Sequence, residues 1–184
     1  MWYILLAFGI FSLPLTAQIR QETKVDYARV LPSIQGFEAA IHQAITASVP
    51  NPLFGLVGKP KGAYKDDLGY LFSFVINPKW GGMVNTPMGA FPSGPALTPE
   101  QKRQSVDGLK NKLVELLFAR GPAMPQLEKD KSILIFAYFE ETSPDRGNVR
   151  QTIILSVTKS DLDEFAGNQP RFNEFKQRVK IVEY

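Results

Sequence analysis

The chain holds one histidine, His42, and no cysteine, so few residue types remain for chemistry. Glu38 precedes His42 by four residues, and this spacing places both side chains on one side of a helix. A carboxylate–imidazole pair can act as a general base or supply half of a metal site. A histidine at the border of an amphipathic helix has the same spacing beside an acidic residue. We favour this second, structural interpretation.

A metal site would have to be built from carboxylates alone, because the chain has no thiolate and only one imidazole. Acidic residues cluster at Asp66-Asp67, at Glu140-Glu141 and over 161–164. The third cluster falls in the first turn of a predicted helix, where acidic side chains complement the helix dipole. It also lacks the glycine and the later glutamate of a calcium loop. We therefore predict no metal and no cofactor.

Paired carboxylates leave one catalytic alternative open, a hydrolase acting on an envelope polymer. Such enzymes need two carboxyl groups about 5–10 Å apart, and the candidates are Asp67, Glu140 and Glu141. A serine triad would have to use His42, and the Gly-x-Ser-x-Gly turn that presents such a serine is absent from the sequence. A phosphate-binding glycine loop is absent as well. An enzyme is therefore the less favoured class.

The Gly- and Pro-rich stretch Pro78–Leu97 combines backbone freedom with large apolar side chains. No regular element fits it, and irregular loops longer than about 15 residues are usually functional or disordered. We predict a binding site here, anchored by Trp80. Its residues are Trp80, Met83, Met88 and Phe91. The same side chains would equally serve to cover an open sheet face, and both interpretations can hold together.

Residues Met1–Ala17 carry no charged side chain, and the apolar run inside them is shorter than the ~20 residues that span a membrane. Pro14 and the small Ala17 are typical of a signal-peptide cleavage site. We predict cleavage after Ala17 and a periplasmic or secreted product, with a single domain over 18–184. Because no Lys or Arg precedes the apolar run, a retained anchor and a buried N-terminal helix remain alternatives.

The composition is that of one folded domain, with 184 residues, 44% of them hydrophobic and 21% charged. A net charge of +3 is too small to indicate a nucleic-acid partner. Tyr70, Phe72 and Phe74 project from one face of a predicted strand and could stack on bases. That strand has no Lys or Arg, so we predict core packing for these rings and no nucleic-acid partner.

Hydrophobic periodicity and turn residues predict the elements that position these side chains. The segments 18–32, 51–67 and 78–97 are predicted irregular. Ser33 is expected to cap the first helix, Thr98 with Gln101 to form the capping box of the second, and Gly121-Pro122 to end it. Ser160 and Asp163 are expected to cap a third. In chain order the predicted elements are a helix over 33–48, a strand over 70–76, a helix from 98 to 120, strands over 133–139 and 152–158 paired as a hairpin, a short helix from 160, a further helical turn around 172–175 and a strand over 179–182.

After the first helix, the order strand, helix, strand, strand, helix, strand is that of a ferredoxin-like split βαβ sandwich. We therefore predict an α+β fold of this type, with an antiparallel sheet, helices on one face and an extra N-terminal helix. In that topology Ile133–Phe139 is an edge strand with one open face, yet both of its faces are apolar. The helix over 33–48, the loop Pro78–Leu97 or a second subunit is expected to cover this face.

Together these patterns favour an exported binding or structural module that works through its sheet face and the Trp80 loop. A protein partner or a second copy of the chain is the expected ligand, and the mature product is expected to have no membrane contact. The hydrolase built on carboxylates is the alternative. A third hypothesis is a periplasmic domain held by an uncleaved N-terminal helix.

Overall fold

Helices cover one face of a five-stranded mixed sheet. The computed structural model describes residues 25–48, 58–76, 83–86, 89–92, 98–143 and 147–184, with the backbone alone for 83–86, 89–92, 141–143 and 147–150. The predicted signal peptide, Met1–Ala17, lies outside the described residues. The elements are α1 (Tyr27–Ser48), β1 (Lys61–Lys65), β2 (Gly69–Ile76), β3 (Met83–Thr86), β4 (Gly89–Pro92), α2 (Pro99–Arg120), β5 (Ser132–Ser143), β6 (Gly147–Thr158), α3 (Lys159–Phe165), α4 (Phe172–Arg178) and β7 (Lys180–Glu183).

The strand order of the main sheet is β1-β2-β5-β6-β7, and β3 with β4 forms a separate two-stranded sheet. Strands β2 and β5 pair in parallel, whereas the other neighbours are antiparallel. The α+β class is confirmed, but the ferredoxin-like split βαβ arrangement is not. In a split unit another strand lies between the two parallel strands; here β2 and β5 are direct neighbours, joined through α2, and the sheet is mixed.

Strand β5 lies at the centre of the sheet, which corrects the expected edge position of Ile133–Phe139. A close backbone approach permits its parallel pairing with β2. Gly69 has a φ of +100°, and a Cβ on this residue would lie 2.3 Å from the Ser132 carbonyl oxygen. Only glycine fits where β2 begins against β5. The predicted pairing of β5 with β6 as a hairpin is confirmed.

Helix α1 begins at Tyr27, six residues before the predicted cap Ser33, and contains Pro32. Asp26 is the residue that starts it, because its carboxylate accepts the Ala28 N–H at 3.1 Å. The buried Val30 then anchors the added turns. A proline in the sixth helical position removes only one backbone hydrogen bond, so the helix tolerates it although the segment 18–32 was predicted irregular.

Two segments predicted as irregular form strands. Strand β1 lies within 51–67; it was missed because Lys and Gly are poor strand residues, although an edge strand tolerates them. Strands β3 and β4 lie within Pro78–Leu97 and pair as an antiparallel hairpin, Val84 opposite Phe91. Their Gly and Pro content masked the pairing in the sequence.

The second helix confirms its predicted boundaries. Thr98 accepts the Gln101 N–H at 3.2 Å and donates its own N–H to the Gln101 side chain at 2.9 Å, which completes the capping box. The helix ends at Arg120, and Gly121 begins a short 3₁₀ turn. For α3, however, Thr158 rather than Ser160 or Asp163 is the cap, since its hydroxyl accepts the Asp161 N–H.

The core lies between the helices and one face of the sheet. It is mostly aliphatic, with stacked or edge-on rings at Phe37, Phe72, Phe118 and Phe175. Every second residue of the three central strands points into it. These residues are Tyr70, Phe72, Phe74 and Ile76 of β2, Ile133, Ile135, Ala137 and Phe139 of β5, and Ile153, Leu155 and Val157 of β6.

Candidate functional site

The alternate residues of the same strands point away from the helices and form what we call the open face. Leu134, Phe136 and Tyr138 of β5 are all half-buried, between fully buried neighbours. Successive side chains of a strand point to opposite sides of the sheet. Because α1, α2, α3 and α4 all contribute buried residues to the core, the open face carries no helix among the described residues.

The register of the strands places the open-face residues in rows. Leu71 lies beside Leu134 and Ser156, and Ser73 lies beside Phe136 and Ile154. At the β7 edge, Val182 follows Ile154 in the second row and is 44% exposed. The result is one contiguous apolar surface. Its residues are Leu71, Val75, Leu134, Phe136, Tyr138, Ile154 and Val182.

Lysines border this surface on both lateral edges. Gly62 and Tyr64 of β1 face the core, so Lys61 and Lys65 occupy the open side of that strand. On β7, Lys180 pairs with Ser156 and therefore lies on the open side as well. Lys65 forms an ion pair with Asp67 at 3.1 Å. Within the described residues, Lys61 and Lys180 form no ion pair.

The residues predicted to bind a partner are only partly described. Trp80 and Met88 lie outside the described residues, as does much of the Pro78–Leu97 segment. Met83 belongs to β3 and Phe91 to β4, where Met83 pairs with Pro92 and Phe91 with Val84. Neighbouring positions of a strand alternate between faces, so these two positions belong to opposite faces of the hairpin.

The first helix does not cover the open face, which corrects one of the three expected covers. Its buried residues, Ile34, Phe37 and Ile41 among them, belong to the same core as those of α2. The open face itself could have been read from the sequence of β6, where apolar and polar residues alternate. On β5 both faces are apolar, so the sequence of this strand alone does not indicate which face the helices cover.

Glu38 and His42 line a groove of about 390 Å³ between α1 and Lys59-Pro60. Glu38 is engaged by the backbone rather than by His42: its Oε1 accepts the Gly62 N–H at 2.7 Å. His42 is exposed. These contacts agree with the structural interpretation of the pair. Glu38 fastens α1 to the edge strand β1, a role that its sequence spacing did not indicate.

The carboxylates proposed for hydrolysis do not converge. Asp67 lies in the turn between β1 and β2, where the hydrogen bond from Lys65 lowers the pKa of its carboxyl group. Glu140 lies near the other end of β5, about 26 Å along the strand from Ser132 at 3.3 Å per residue. The side chain of Glu141 is outside the described residues. A groove with two facing carboxyls is therefore not formed by Asp67 and Glu140.

The acidic cluster at the start of α3 is structural. Asp161 accepts a hydrogen bond from the Thr158 hydroxyl at 2.6 Å, and Asp163 pairs with Lys159. Glu164 accepts from Arg171, whose guanidinium also lies 4.3 Å from the centre of the Phe165 ring. Among the described residues, no group of three His, Asp or Glu side chains is placed to hold a metal ion.

The β2 aromatic rings belong to the core, as predicted, and are not available for stacking on bases. Tyr70 and Phe72 are completely buried and lie parallel, with their ring centres 6.3 Å apart. The Tyr70 hydroxyl donates to the Pro125 carbonyl at 2.7 Å. Burial, with a smaller effect of nearby Tyr64, raises the pKa of Tyr70 to about 12.

Comparison with family models, with curated proteins and with solved structures finds no match to this chain. The candidate site therefore rests on its own geometry. In the part of the chain that the structure describes, no helix is long and apolar enough to cross a membrane.

Proposed function

We propose that this chain is an exported binding module whose open face takes up a protein partner. The observation that carries the proposal is the contiguous apolar surface around Phe136, on the side of the sheet opposite all four helices. Contiguous exposed apolar patches larger than a few hundred Å² are rare on soluble proteins and commonly mark interaction sites. The charged residues Glu140 and Lys65 lie on the same side of the sheet, beyond the apolar residues at its two ends.

The geometry favours binding over catalysis. The open face is a broad apolar layer, and its described residues include no histidine and one carboxylate, Glu140. Asp67 and Glu140 are the two candidate carboxylates whose side chains the structure describes, and they lie at opposite ends of the sheet, which disfavours the hydrolase alternative.

Export is the second part of this proposal. The apolar, uncharged stretch Met1–Ala17 supports removal of a signal peptide and a periplasmic or secreted product. Mass spectrometry of the protein recovered from cell fractions tests this part. A chain that begins at Gln18 in the periplasm or medium is expected, whereas an intact chain beginning at Met1 in the cytosol would contradict export.

Site-specific photocrosslinking tests the binding function directly. A photoreactive phenylalanine analogue at position 136 replaces one aromatic ring by another, and the matched control carries it at Glu115, an exposed position of α2 on the opposite side of the molecule. We expect a crosslinked protein adduct from position 136 and none from position 115. Equal yields from both positions, or no adduct from either, would contradict the proposal.

A further inference from the structure

We infer that the partner of the open face is an acidic amphipathic helix, with an apolar stripe bordered on both sides by Asp or Glu. The inference rests on the proposed function and names the partner's chemistry. It starts from two observations: the apolar surface is one helix wide, and a lysine that has no ion pair with any described residue lies at each of its lateral edges.

The dimensions favour a single helix. From β2 to β7 the surface spans three strand spacings, about 14 Å, and from Leu71 to Val75 it extends about 13 Å along the strands. An α-helix with its side chains is about 10–12 Å across, and nine of its residues extend about 13 Å. One helix of roughly three turns therefore covers Leu134, Phe136 and Ile154.

The lysines at the two lateral edges determine which side chains the docked helix should carry on its flanks. Lys61 on β1 and Lys180 on β7 are four strand spacings apart, about 19 Å, with the apolar surface between them. Within the described residues neither lysine has an anionic partner, and both are exposed. Carboxylates on the two borders of a docked helix would reach these ammonium groups and fix the helix between them.

The same lysines disfavour a second copy of the chain as the occupant. If two open faces packed against each other about a two-fold axis, each lateral edge would meet a lateral edge of the other copy. In such an aligned packing the lysine-bearing edges of the two copies would lie near each other, and like charges brought close together are unfavourable.

The chain's own apolar segment between β2 and α2 is a poorer match as well. Residues 77–97 contain a single charged side chain, Lys79, and no carboxylate. They could cover the apolar centre, but they would leave Lys61 and Lys180 without partners. Glu140, at the far end of β5, is the one carboxylate on the open side of the described strands, and it stands outside the lateral edges.

The test uses three synthetic 15-residue peptides with the same leucine stripe and with Glu, Gln or Lys on its borders. Their affinities for the full chain are measured by fluorescence anisotropy in low and high salt. Amide chemical shifts then locate the binding surface. We expect the Glu peptide to bind about tenfold more tightly than the Lys peptide, with the difference largely lost at high salt.

Lys61→Glu combined with Lys180→Glu supplies the matched variant, and because both residues are exposed and unpaired within the described chain it should fold normally. In this variant the Lys peptide should bind more tightly than the Glu peptide. The amide chemical-shift changes on peptide binding should concentrate in β2, β5 and β6. The salt dependence of the unsubstituted chain provides a test that needs no variant.

Four results would overturn the inference: equal affinities for all three peptides, shifts confined to the helices, a dimer that forms through the open face, or binding to vesicles of an anionic phospholipid in place of the peptides. These outcomes differ from a failure of the proposed function, because the crosslinking yield at position 136 does not depend on the charge of the partner.

Discussion

Glu38 of α1 and Gly62 of β1 are joined by a hydrogen bond of 2.7 Å, in which the backbone N–H of the edge strand donates to the carboxylate. Strand β1 is the outer strand of the sheet, and its outward N–H groups would otherwise be open to pairing with another chain. One side chain thus ties the first helix to the sheet and occupies one outward N–H of the edge strand.

Removal of this bond should destabilise the fold. Glu38→Ala leaves the half-buried Gly62 N–H without its acceptor and is expected to cost about 1–2 kcal/mol in the free energy of unfolding, measured in urea. Glu38→Gln keeps an acceptor oxygen at the same place and should lose less than half as much. If both variants lose the same amount, the hydrogen bond does not fasten the strand.

Gly62 also lies under a tightly packed ring. A Cβ at this position would be 2.6 Å from Phe72 Cε1 and 2.7 Å from Ile34 Cγ2. Phe72 is fully buried and stacks on Phe37 with 4.5 Å between ring centres, so it has no room to move. Gly62→Ala should therefore destabilise the protein by about 1–3 kcal/mol.

Gly108, inside α2, is the matched control for that substitution, because a Cβ there meets nothing within 4 Å. Gly108→Ala is expected to stabilise the protein by about 0.5–1 kcal/mol, since alanine loses less backbone freedom in a helix than glycine does. Thermal unfolding of both variants measures the difference. If Gly62→Ala leaves the stability unchanged, the Phe72 ring must move to make room for the added methyl group.

Tyr70 makes stability fall at alkaline pH. Its folded pKa of about 12 exceeds the ordinary value of 10.0, so between these two values the unfolded chain releases a proton that the folded chain keeps. The contribution of Tyr70 to the free energy of unfolding is fully present below pH 10 and decreases as the pH rises toward 12. Tyr70→Phe should flatten this decline and cost about 1 kcal/mol at pH 8, through loss of the bond to the Pro125 carbonyl.

Urea unfolding of the Tyr70→Phe variant and the unsubstituted chain at several pH values measures that difference, and contributions of the lysines cancel in the comparison. Parallel pH profiles for the two proteins would contradict a buried, protonated Tyr70.

Two phenylalanines on opposite faces of the sheet should respond differently to truncation. Phe72 is fully buried, so Phe72→Ala is expected to cost about 3–5 kcal/mol. Phe136 is half-buried on the open face, and Phe136→Ala should cost no more than about 1–2 kcal/mol. Similar losses in urea unfolding would mean that another part of the chain covers Phe136.

Local patterns in the sequence predicted most helices and the central strands, because caps and periodicity are local properties. Thr98 with Gln101 and the stripe from Ile34 to Ile45 are examples. Strand β1 was not predicted, because its Lys and Gly residues have low strand propensity. They are accommodated in a strand that lies at the edge of the sheet beside α1. The sheet order was not predicted either, because the parallel pairing of β2 with β5 is set by long-range packing.

The candidate surface was predicted in part. The sequence of β5 predicts that both sides of this strand are apolar, but the side opposite the helices was expected to be covered. Its lysine borders could not be found, because Lys61 and Lys180 are far apart in sequence and meet the same face only through the strand register. The role of Glu38 depends likewise on a contact 24 residues away.

The availability of the open face is tested most directly by chemical labelling, which the absence of cysteine makes simple. Ser73→Cys places a single thiol at an exposed position of this face, beside Phe136, and Glu115→Cys provides an exposed control on α2. In the full chain we expect maleimide to label both thiols at rates within about tenfold of each other, consistent with ordinary surface cysteines. Labelling at position 73 more than about a hundredfold slower, in a monomeric protein, would contradict an open binding face.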